Sequence, residues 1–265
     1  MGKRAGSSFL LLAVLLLPGC ATAGGPGWGS DATLTPGWDR LAAAARAAAS
    51  SPETWGPLAG AGLVQIDHAD HRLSRWATRE NPVFGSQDAA ATASDVLLGS
   101  SMVFYAATAL AAPRGHGATW AEHELRGASV GVGAGLVTGG ATELLKRATK
   151  RRRPNGISTT SFPSGHTSAA TVMATLAADN VAWLDVSGGE RLALKGVAGG
   201  LSVGTAWARV EGKRHWPSDV LVGMALGHFI GVFADRAFLD PRGARLQPVV
   251  AVSRDGVLLG FSQQF

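Results

Sequence analysis

Apolar stretches rich in small residues alternate with short polar or charged interruptions along most of this chain. Each stretch is long enough for a helix, and glycine, proline or charged residues, which commonly end helices, separate one stretch from the next. The pattern therefore predicts an all-α helical bundle. The apolar stretches cover residues 92–112, 127–147, 165–184, 192–207 and 217–238.

Further elements are predicted on either side of these stretches. Upstream, "DRLAAAARAAASSPETW" predicts a short helix that ends near Pro52, and "PLAGAGLVQIDHADHRLSRWATREN" predicts a helix that runs into a polar turn. Downstream, two aliphatic runs flank Asp255 and Gly256, a pair that commonly forms a hairpin turn. We therefore expect a helical domain over residues 39–243 and a short C-terminal β-hairpin over residues 244–265, with a frayed tail as the alternative to the hairpin.

Glycine and alanine are dense in the predicted helices, as in "GASVGVGAGLVTGGA". Small side chains let helices approach closely, both in tight bundles and in membranes. Polar groups interrupt the stretches, and the mean hydropathy is only +0.14, which favours a compact domain outside or upon a membrane. Helices that cross the inner membrane are the alternative. The interrupting residues are Asp95, Glu143, Asp179 and Asn180.

The N-terminus has the pattern of a bacterial export signal. Lys3 and Arg4 precede an apolar run over residues 9–17, which is too short to span a bilayer. The following "LPGC" resembles the lipobox of bacterial lipoproteins, in which the signal peptide is removed and the next cysteine is lipidated. We therefore expect a signal peptide over residues 1–19 and lipidation at Cys20.

The residues around this cysteine fit an anchor. Cys20 is the only cysteine in the chain and cannot form an internal disulfide. Residues 20–38 are rich in glycine, proline, serine and threonine, which predicts a tether. Ala21, where an aspartate would mark inner-membrane retention in lipoproteins of this kind, favours the periplasmic face of the outer membrane. An ordinary cleaved signal with an incidental cysteine is the alternative.

Composition limits the partners of the mature protein. The 265 residues, 46% hydrophobic and 16% charged, can bury a substantial core as one domain or a small pair. The formal net charge is +5, and about +3 once Lys3 and Arg4 are removed with the signal peptide. This charge is too small to indicate nucleic acid as a partner.

Three polar clusters carry the candidate chemistry. "KRATKRRRP" places Lys146 seven residues before Arg153. In "PSGHTS", Ser164 can cap a helix whose free N–H groups favour a bound anion. In "ARVEGKRHWPSDVLVG", His215 and Asp219 are four residues apart, so on one helical turn the carboxylate can reach the imidazole and fix its tautomer. Taken alone, each cluster has an ordinary interpretation: a solvated basic face, a capped helix and a surface contact.

Together and in this order, the clusters resemble the type 2 phosphatidic acid phosphatase superfamily, which includes bacterial non-specific acid phosphatases and vanadium haloperoxidases. The shared pattern is Lys-x6-Arg-Pro, then Pro-Ser-Gly-His, then Arg-x5-His-x3-Asp, between Lys146 and Asp219. The chain departs from the family in two places. Ala208 stands where serine usually precedes the arginine, which removes a hydroxyl that braces the pocket. Only eight residues separate Pro154 from Pro163, which shortens the loop over the site.

The resemblance implies a phosphate pocket. Lys146, Arg153 and Arg209 would hold the non-bridging oxygens, since arginines offer paired donors to such oxygens. Backbone N–H groups near Ser164 and Gly165 would add to this cradle. No metal or other cofactor is required.

The resemblance also implies the chemistry. His215 would attack phosphorus to give a phosphohistidine, and Asp219 would orient and stabilise its imidazolium. His166 would protonate the leaving oxygen and later accept a proton from water. The favoured function is therefore a phosphatase acting on phosphomonoester or diphosphate groups, with a lipid phosphate at the cell envelope as the expected substrate. Soluble esters, vanadate-dependent halide oxidation and a non-catalytic envelope role are the alternatives.

Other residues receive weaker interpretations. His68, Asp70 and His71 suggest a metal site, but adjacent residues of this kind in a polar turn are commonly just exposed, and no further ligand is evident. Ser164 as a nucleophile lacks the Gly-x-Ser-x-Gly elbow of serine hydrolases. The basic residues left over by the phosphate pocket are expected to face anionic head groups. They are Arg147, Lys150, Arg151 and Arg152.

Overall fold

The computed structural model describes residues 28–112, 120–239, 245–253 and 256–264. Within these ranges the chain forms eight α-helices, which confirms the all-α helical bundle. The signal peptide and Cys20 lie outside the described residues, so lipidation stays a prediction. The helices are α1 (Trp38–Ser50), α2 (Pro52–Leu63), α3 (Ala69–Glu80), α4 (Gln87–Ala111), α5 (Trp120–Thr149), α6 (Gly165–Asn180), α7 (Gly188–Glu211) and α8 (Pro217–Ala234).

The five apolar stretches correspond to α4–α8. The prediction of one helix directly before them is wrong in one respect. This segment forms two helices, α2 and α3, separated at Ile66–His68. Asp67 and His68 have φ values of 50° and 53° there. These are left-handed conformations that an α-helix does not tolerate. The polar turn therefore lies in the middle of the predicted helix and sets the direction of α3.

Helix α6 lies at the centre of the bundle, in contact with α4, α5, α7 and α8. Most of its side chains are buried, and Val172 and Leu176 have no exposed surface. A helix buried on every side needs small or apolar residues all round rather than along one stripe. The alanine-rich sequence of α6 meets this need, and its neighbours hold the start of the helix in place.

Two glycines of α8 bring its N-terminal half close to α6. A Cβ atom at Gly223 would lie 2.8 Å from the carbonyl oxygen of Ser164, and one at Gly227 would lie 2.4 Å from that of Ser168. Any larger residue would force the two helices apart. The second and third turns of α8 therefore lie directly against the start of α6.

The segment before α1 packs on the bundle from Trp28 onward. Trp28 is buried, and its indole Nε1 donates a hydrogen bond to Oδ1 of Asn180 at 2.9 Å. Ala32 is buried as well. The predicted tether, residues 20–38, therefore extends too far, because its C-terminal part belongs to the folded domain.

Two strands follow the helices. β1 (Arg245–Ser253) pairs antiparallel with β2 (Gly256–Gln264), with Val252 opposite Val257. Arg254 and Asp255, between the strands, lie outside the described residues. The hairpin turn at Asp255 and Gly256 stays a prediction.

Three helical segments in the described ranges are long and apolar enough to cross a membrane, judged by length and composition: Gln87–Ala111, Ala121–Thr149 and Pro217–Leu239. The first two also expose large apolar side chains. These faces suit contact with lipid. The exposed side chains include Val96, Val103 and Leu110 on α4, and Leu125, Leu136 and Leu144 on α5.

Candidate active site

The three polar clusters meet where the first turns of α6 and α8 touch. The backbone N–H of Ser164 donates to the carbonyl oxygen of Asp219 at 3.0 Å. A Cβ atom at Gly165 would lie 3.3 Å from Nζ of Lys146, so glycine lets this ammonium group approach the start of α6. The backbone N–H of His215 donates to the carbonyl oxygen of Arg209 at 3.1 Å. The fold thus brings the sequence-predicted residues together.

Two arginines with buried nitrogen donors lie at this site. Arg209 is 7% exposed, and its Nη1 donates to Oγ of Ser94 at 3.0 Å. The buried Nε atoms of Arg209 and Arg153 have no hydrogen-bond partner among the described residues. An unpaired buried donor is costly, and more so on a charged group. An anion with several oxygens would satisfy both side chains.

The electrostatics of these arginines agree with this interpretation. Burial, followed by the charges of Arg153 and Arg214, lowers the pKa of Arg209 to about 10, although Asp95 opposes the shift. Burial also lowers the pKa of Arg153, again with Arg214 acting in the same direction. Positive charges that destabilise one another favour a bound anion, which relieves their repulsion.

His215 is 1% exposed, and its Nδ1 lies 2.6 Å from the carbonyl oxygen of Ser161. A carbonyl oxygen only accepts hydrogen bonds, so Nδ1 carries the proton of the neutral ring and Nε2 keeps its lone pair. Burial lowers the pKa of His215 to about 4, although Asp219 opposes the shift. The ring is therefore neutral, with a free lone pair, at neutral and mildly acidic pH.

The predicted contact between Asp219 and His215 needs correction. His215 precedes α8, which begins at Pro217, so the two residues do not share a helical turn. Oδ2 of Asp219 lies 3.7 Å from Nδ1 of His215, beyond hydrogen-bond length. The Ser161 carbonyl therefore fixes the tautomer, and Asp219 acts on the ring through its charge.

Asp219 itself is held from several directions. It has no exposed surface, and its Oδ2 accepts from Oγ of Ser161 at 2.5 Å and from the backbone N–H of Trp216 at 2.8 Å. Its Oδ1 accepts from Nη1 of Arg151 at 2.8 Å. The expectation that Arg151 faces anionic head groups is therefore wrong, because this side chain is engaged inside the protein.

His166, in the first turn of α6, contacts a carboxylate that the sequence analysis did not assign to the site. Its Nε2 lies 2.8 Å from Oδ1 of Asp95, an exposed residue of α4. Burial is the main cause that lowers the pKa of His166, and Arg209 lowers it further, whereas Asp95 raises it. Asp95 therefore favours the protonated form of this histidine.

Ser164 caps α6, as predicted, and this role occupies its polar groups. Its Oγ accepts from the backbone N–H of Thr167 at 3.5 Å, and its own N–H is bonded to Asp219. The residue has no exposed surface. The expected phosphate contact through the N–H of Ser164 is therefore excluded in this arrangement, and Gly165 is the remaining backbone candidate.

The three residues that suggested a metal site, His68, Asp70 and His71, differ in their surroundings. His68 and His71 are exposed, as expected for a polar turn, but Asp70 is 1% exposed and paired with Arg151. Within the described ranges no group of three or more His, Cys, Asp or Glu side chains is placed to hold a metal ion.

Comparison with known proteins matches the same part of the chain. Residues 127–240, which include every residue from Lys146 to Asp219, match the PAP2 superfamily. Over 110 residues the chain is 36% identical to the lipid A 1-phosphatase of Porphyromonas gingivalis, a stretch that is 40% of this chain and 23% of that protein. No solved structure matches the chain at comparable significance. Asp70 and Asp95 lie outside the range that matches the family.

Proposed function

Because the chain belongs to the PAP2 superfamily, we propose that it is a phosphatase that hydrolyses phosphate esters through a phosphohistidine intermediate. The observation that carries this proposal is the combination of two buried arginine Nε atoms, which have no partner in the part of the chain that the structure describes, and a neutral, buried His215 beside them. Such a pocket needs an anion, and its nucleophile is already deprotonated.

In the first half-reaction, Nε2 of His215 attacks phosphorus, and the bond from phosphorus to the ester oxygen breaks. His166 gives its proton to that oxygen. Arg153, Arg209 and Lys146 hold the non-bridging oxygens while charge develops on them. The negative charge of Asp219 stabilises the positive charge that the ring of His215 acquires.

In the second half-reaction, water attacks the phosphohistidine. His166, now neutral, accepts a proton from this water, and the bond from phosphorus to Nε2 breaks to release inorganic phosphate. Both histidines return to their starting states. The two steps need one histidine that is neutral and one that is protonated.

This requirement predicts an acidic optimum of kcat/KM, which reports groups of the free enzyme. Activity falls at low pH as His215 becomes protonated, with a pKa of about 4. It falls at higher pH as His166 loses its proton, and this pKa is lowered from its ordinary value.

Replacing Asp95 by asparagine is expected to move the alkaline limb of the pH profile to lower pH. The change removes the charge that raises the pKa of His166, so the general acid loses its proton earlier. Profiles of kcat/KM against pH for the wild type and Asp95→Asn, measured with an alkyl phosphate whose leaving group needs a proton, test this. Asp88→Asn, in the first turn of the same helix, is the control and should keep the wild-type profile. An unchanged or alkaline-shifted limb in Asp95→Asn contradicts the proposed role of His166.

A lipid phosphate at a membrane is the substrate class that the molecule supports best. The relative from Porphyromonas gingivalis is a lipid A 1-phosphatase. Helices α4 and α5 expose apolar side chains suited to lipid, and the expected lipidation of Cys20 would hold the domain at the periplasmic face of the outer membrane. Lys150 and Arg152, next to the phosphate pocket, are exposed and suited to anionic head groups.

Replacing Lys150 by glutamine is expected to raise the apparent KM for a long-chain lipid phosphate about fivefold. A basic residue near an anionic surface contributes about 1 kcal/mol, which corresponds to this factor. Phosphate release is measured in mixed micelles that contain anionic lipid, and with p-nitrophenyl phosphate, for which KM should not change.

The control is Lys195→Gln, an exposed lysine on α7, placed 14 residues before Arg209 and so about 21 Å from it along the helix. This variant should behave as the wild type on both substrates. A clear preference of the wild type for p-nitrophenyl phosphate, together with no effect of Lys150→Gln, would establish soluble esters as the substrates instead.

A further inference from the structure

Asp70, at the start of α3, is a buried carboxylate that the proposed mechanism does not use. Its Oδ2 accepts from Nη2 of Arg151 at 2.6 Å and from Oγ of Ser218 at 2.7 Å. Its Oδ1 accepts from the backbone N–H of Ser218 at 2.8 Å. These contacts link α3 to the N-terminus of α8, which carries Asp219.

Arg151 joins Asp70 to the residue beside the nucleophile. It touches both buried carboxylates, Asp70 through Nη2 and Asp219 through Nη1. The planar fork of the guanidinium gives each carboxylate its own N–H donor in a fixed geometry. Asp219 in turn lies 3.7 Å from the ring of His215. A continuous chain of charges therefore runs from α3 to the imidazole.

The role of Asp70 follows from the charges of the three linked residues Asp70, Arg151 and Asp219. Arg151, Asp70 and Asp219 together carry one net negative charge. This charge opposes the positive charges of Arg209 and Arg153, which also act on the ring of His215. If Asp70 were neutral, Arg151 would pair with Asp219 alone and offset the charge that the imidazole meets. The ring needs that charge most when it bonds to phosphorus and becomes cationic.

We propose that Asp70 is a positioning residue for the phosphatase reaction, which acts through Arg151 to hold Asp219 and preserve its negative charge beside His215. This inference rests on the proposed function. It assigns part of the active-site support to a helix outside residues 127–240, the range that matches the family. Asp70 touches no substrate in this account, because Lys146, Arg153 and Arg209 hold the phosphate.

The test is the isosteric variant Asp70→Asn in the full-length protein. Its amide oxygen can still accept from the N–H of Ser218, so the cap of α8 is retained while the charge is lost. We expect kcat on p-nitrophenyl phosphate to fall about tenfold to a hundredfold, the scale of losing a residue that orients a metal-binding histidine from behind. The inhibition constant of inorganic phosphate should stay the same, because its ligands are unchanged.

Two further variants separate positioning from folding. Asp67→Asn changes an exposed aspartate three residues away, which pairs with Arg72 on the surface, and should leave kcat and phosphate inhibition unchanged. Arg151→Lys keeps a positive charge but loses the fork, so it should lower kcat with phosphate inhibition intact.

A double-mutant cycle tests whether Asp70 acts through Arg151. If it does, Asp70→Asn adds no further loss of kcat in an Arg151→Gln background. The inference is overturned by wild-type kcat in Asp70→Asn, by parallel loss of kcat and phosphate inhibition, or by independent effects that multiply in the double variant. A wild type without phosphatase activity would instead overturn the proposed function.

Discussion

Replacing His215 by alanine is expected to lower kcat by about 10⁴-fold or more, the scale of losing a catalytic nucleophile. The buried ring donates its Nδ1 proton to the carbonyl of Ser161, so Nε2 is the only lone pair that it offers to phosphorus. Phosphate inhibition should persist, since the cationic residues of the pocket remain. Steady-state kinetics with p-nitrophenyl phosphate measure both quantities.

The matched control is His68→Asn. His68 is exposed and has a φ of 53°, a conformation that asparagine tolerates better than alanine. Its kinetics should equal those of the wild type. Substantial residual turnover in His215→Ala, with normal dependence on substrate, would show that another residue attacks phosphorus.

Replacing His166 by alanine is expected to lower kcat by about 10²- to 10⁴-fold on alkyl phosphates, the usual contribution of general acid–base catalysis. An alkoxide leaves poorly without a proton, whereas p-nitrophenolate needs little help. With p-nitrophenyl phosphate, His215 should still be phosphorylated at a useful rate. The second half-reaction, which needs His166 as a base, should then be slow.

The measurement is a stopped-flow trace of p-nitrophenol release by His166→Ala. We expect a burst close to one equivalent of enzyme, followed by slow turnover as the phosphoenzyme accumulates. Equal losses on alkyl and aryl esters, without a burst, would mean that His166 does not exchange protons with the leaving group and water.

Local patterns in the sequence predicted much of the fold. The apolar stretches, and the glycine, proline and charged residues between them, predicted the helices α4–α8. Ser164 was correctly predicted to cap a helix. These features depend on residues within a few positions of one another. The break between α2 and α3 was misplaced because left-handed φ values at Asp67 and His68 are not visible in an apolar pattern.

Contacts between distant segments could not be predicted in this way. Asp70 and Arg151 are 81 residues apart, and Asp95 and His166 are 71 apart. In the sequence, Asp70 resembles an exposed turn residue and Arg151 one basic residue of a run. Only the packing of α3 against the start of α8 buries them together, so their pairing depends on tertiary structure.

Rapid quench with a phosphate ester labelled at phosphorus detects the proposed phosphohistidine at His215. Wild-type enzyme mixed with excess substrate should carry label within the first turnover. The label should be lost in acid and kept in alkali, as a phosphorus–nitrogen bond requires, and His215→Ala should carry none. Label of normal amount in His215→Ala, or an acid-stable label in the wild type, would contradict the account.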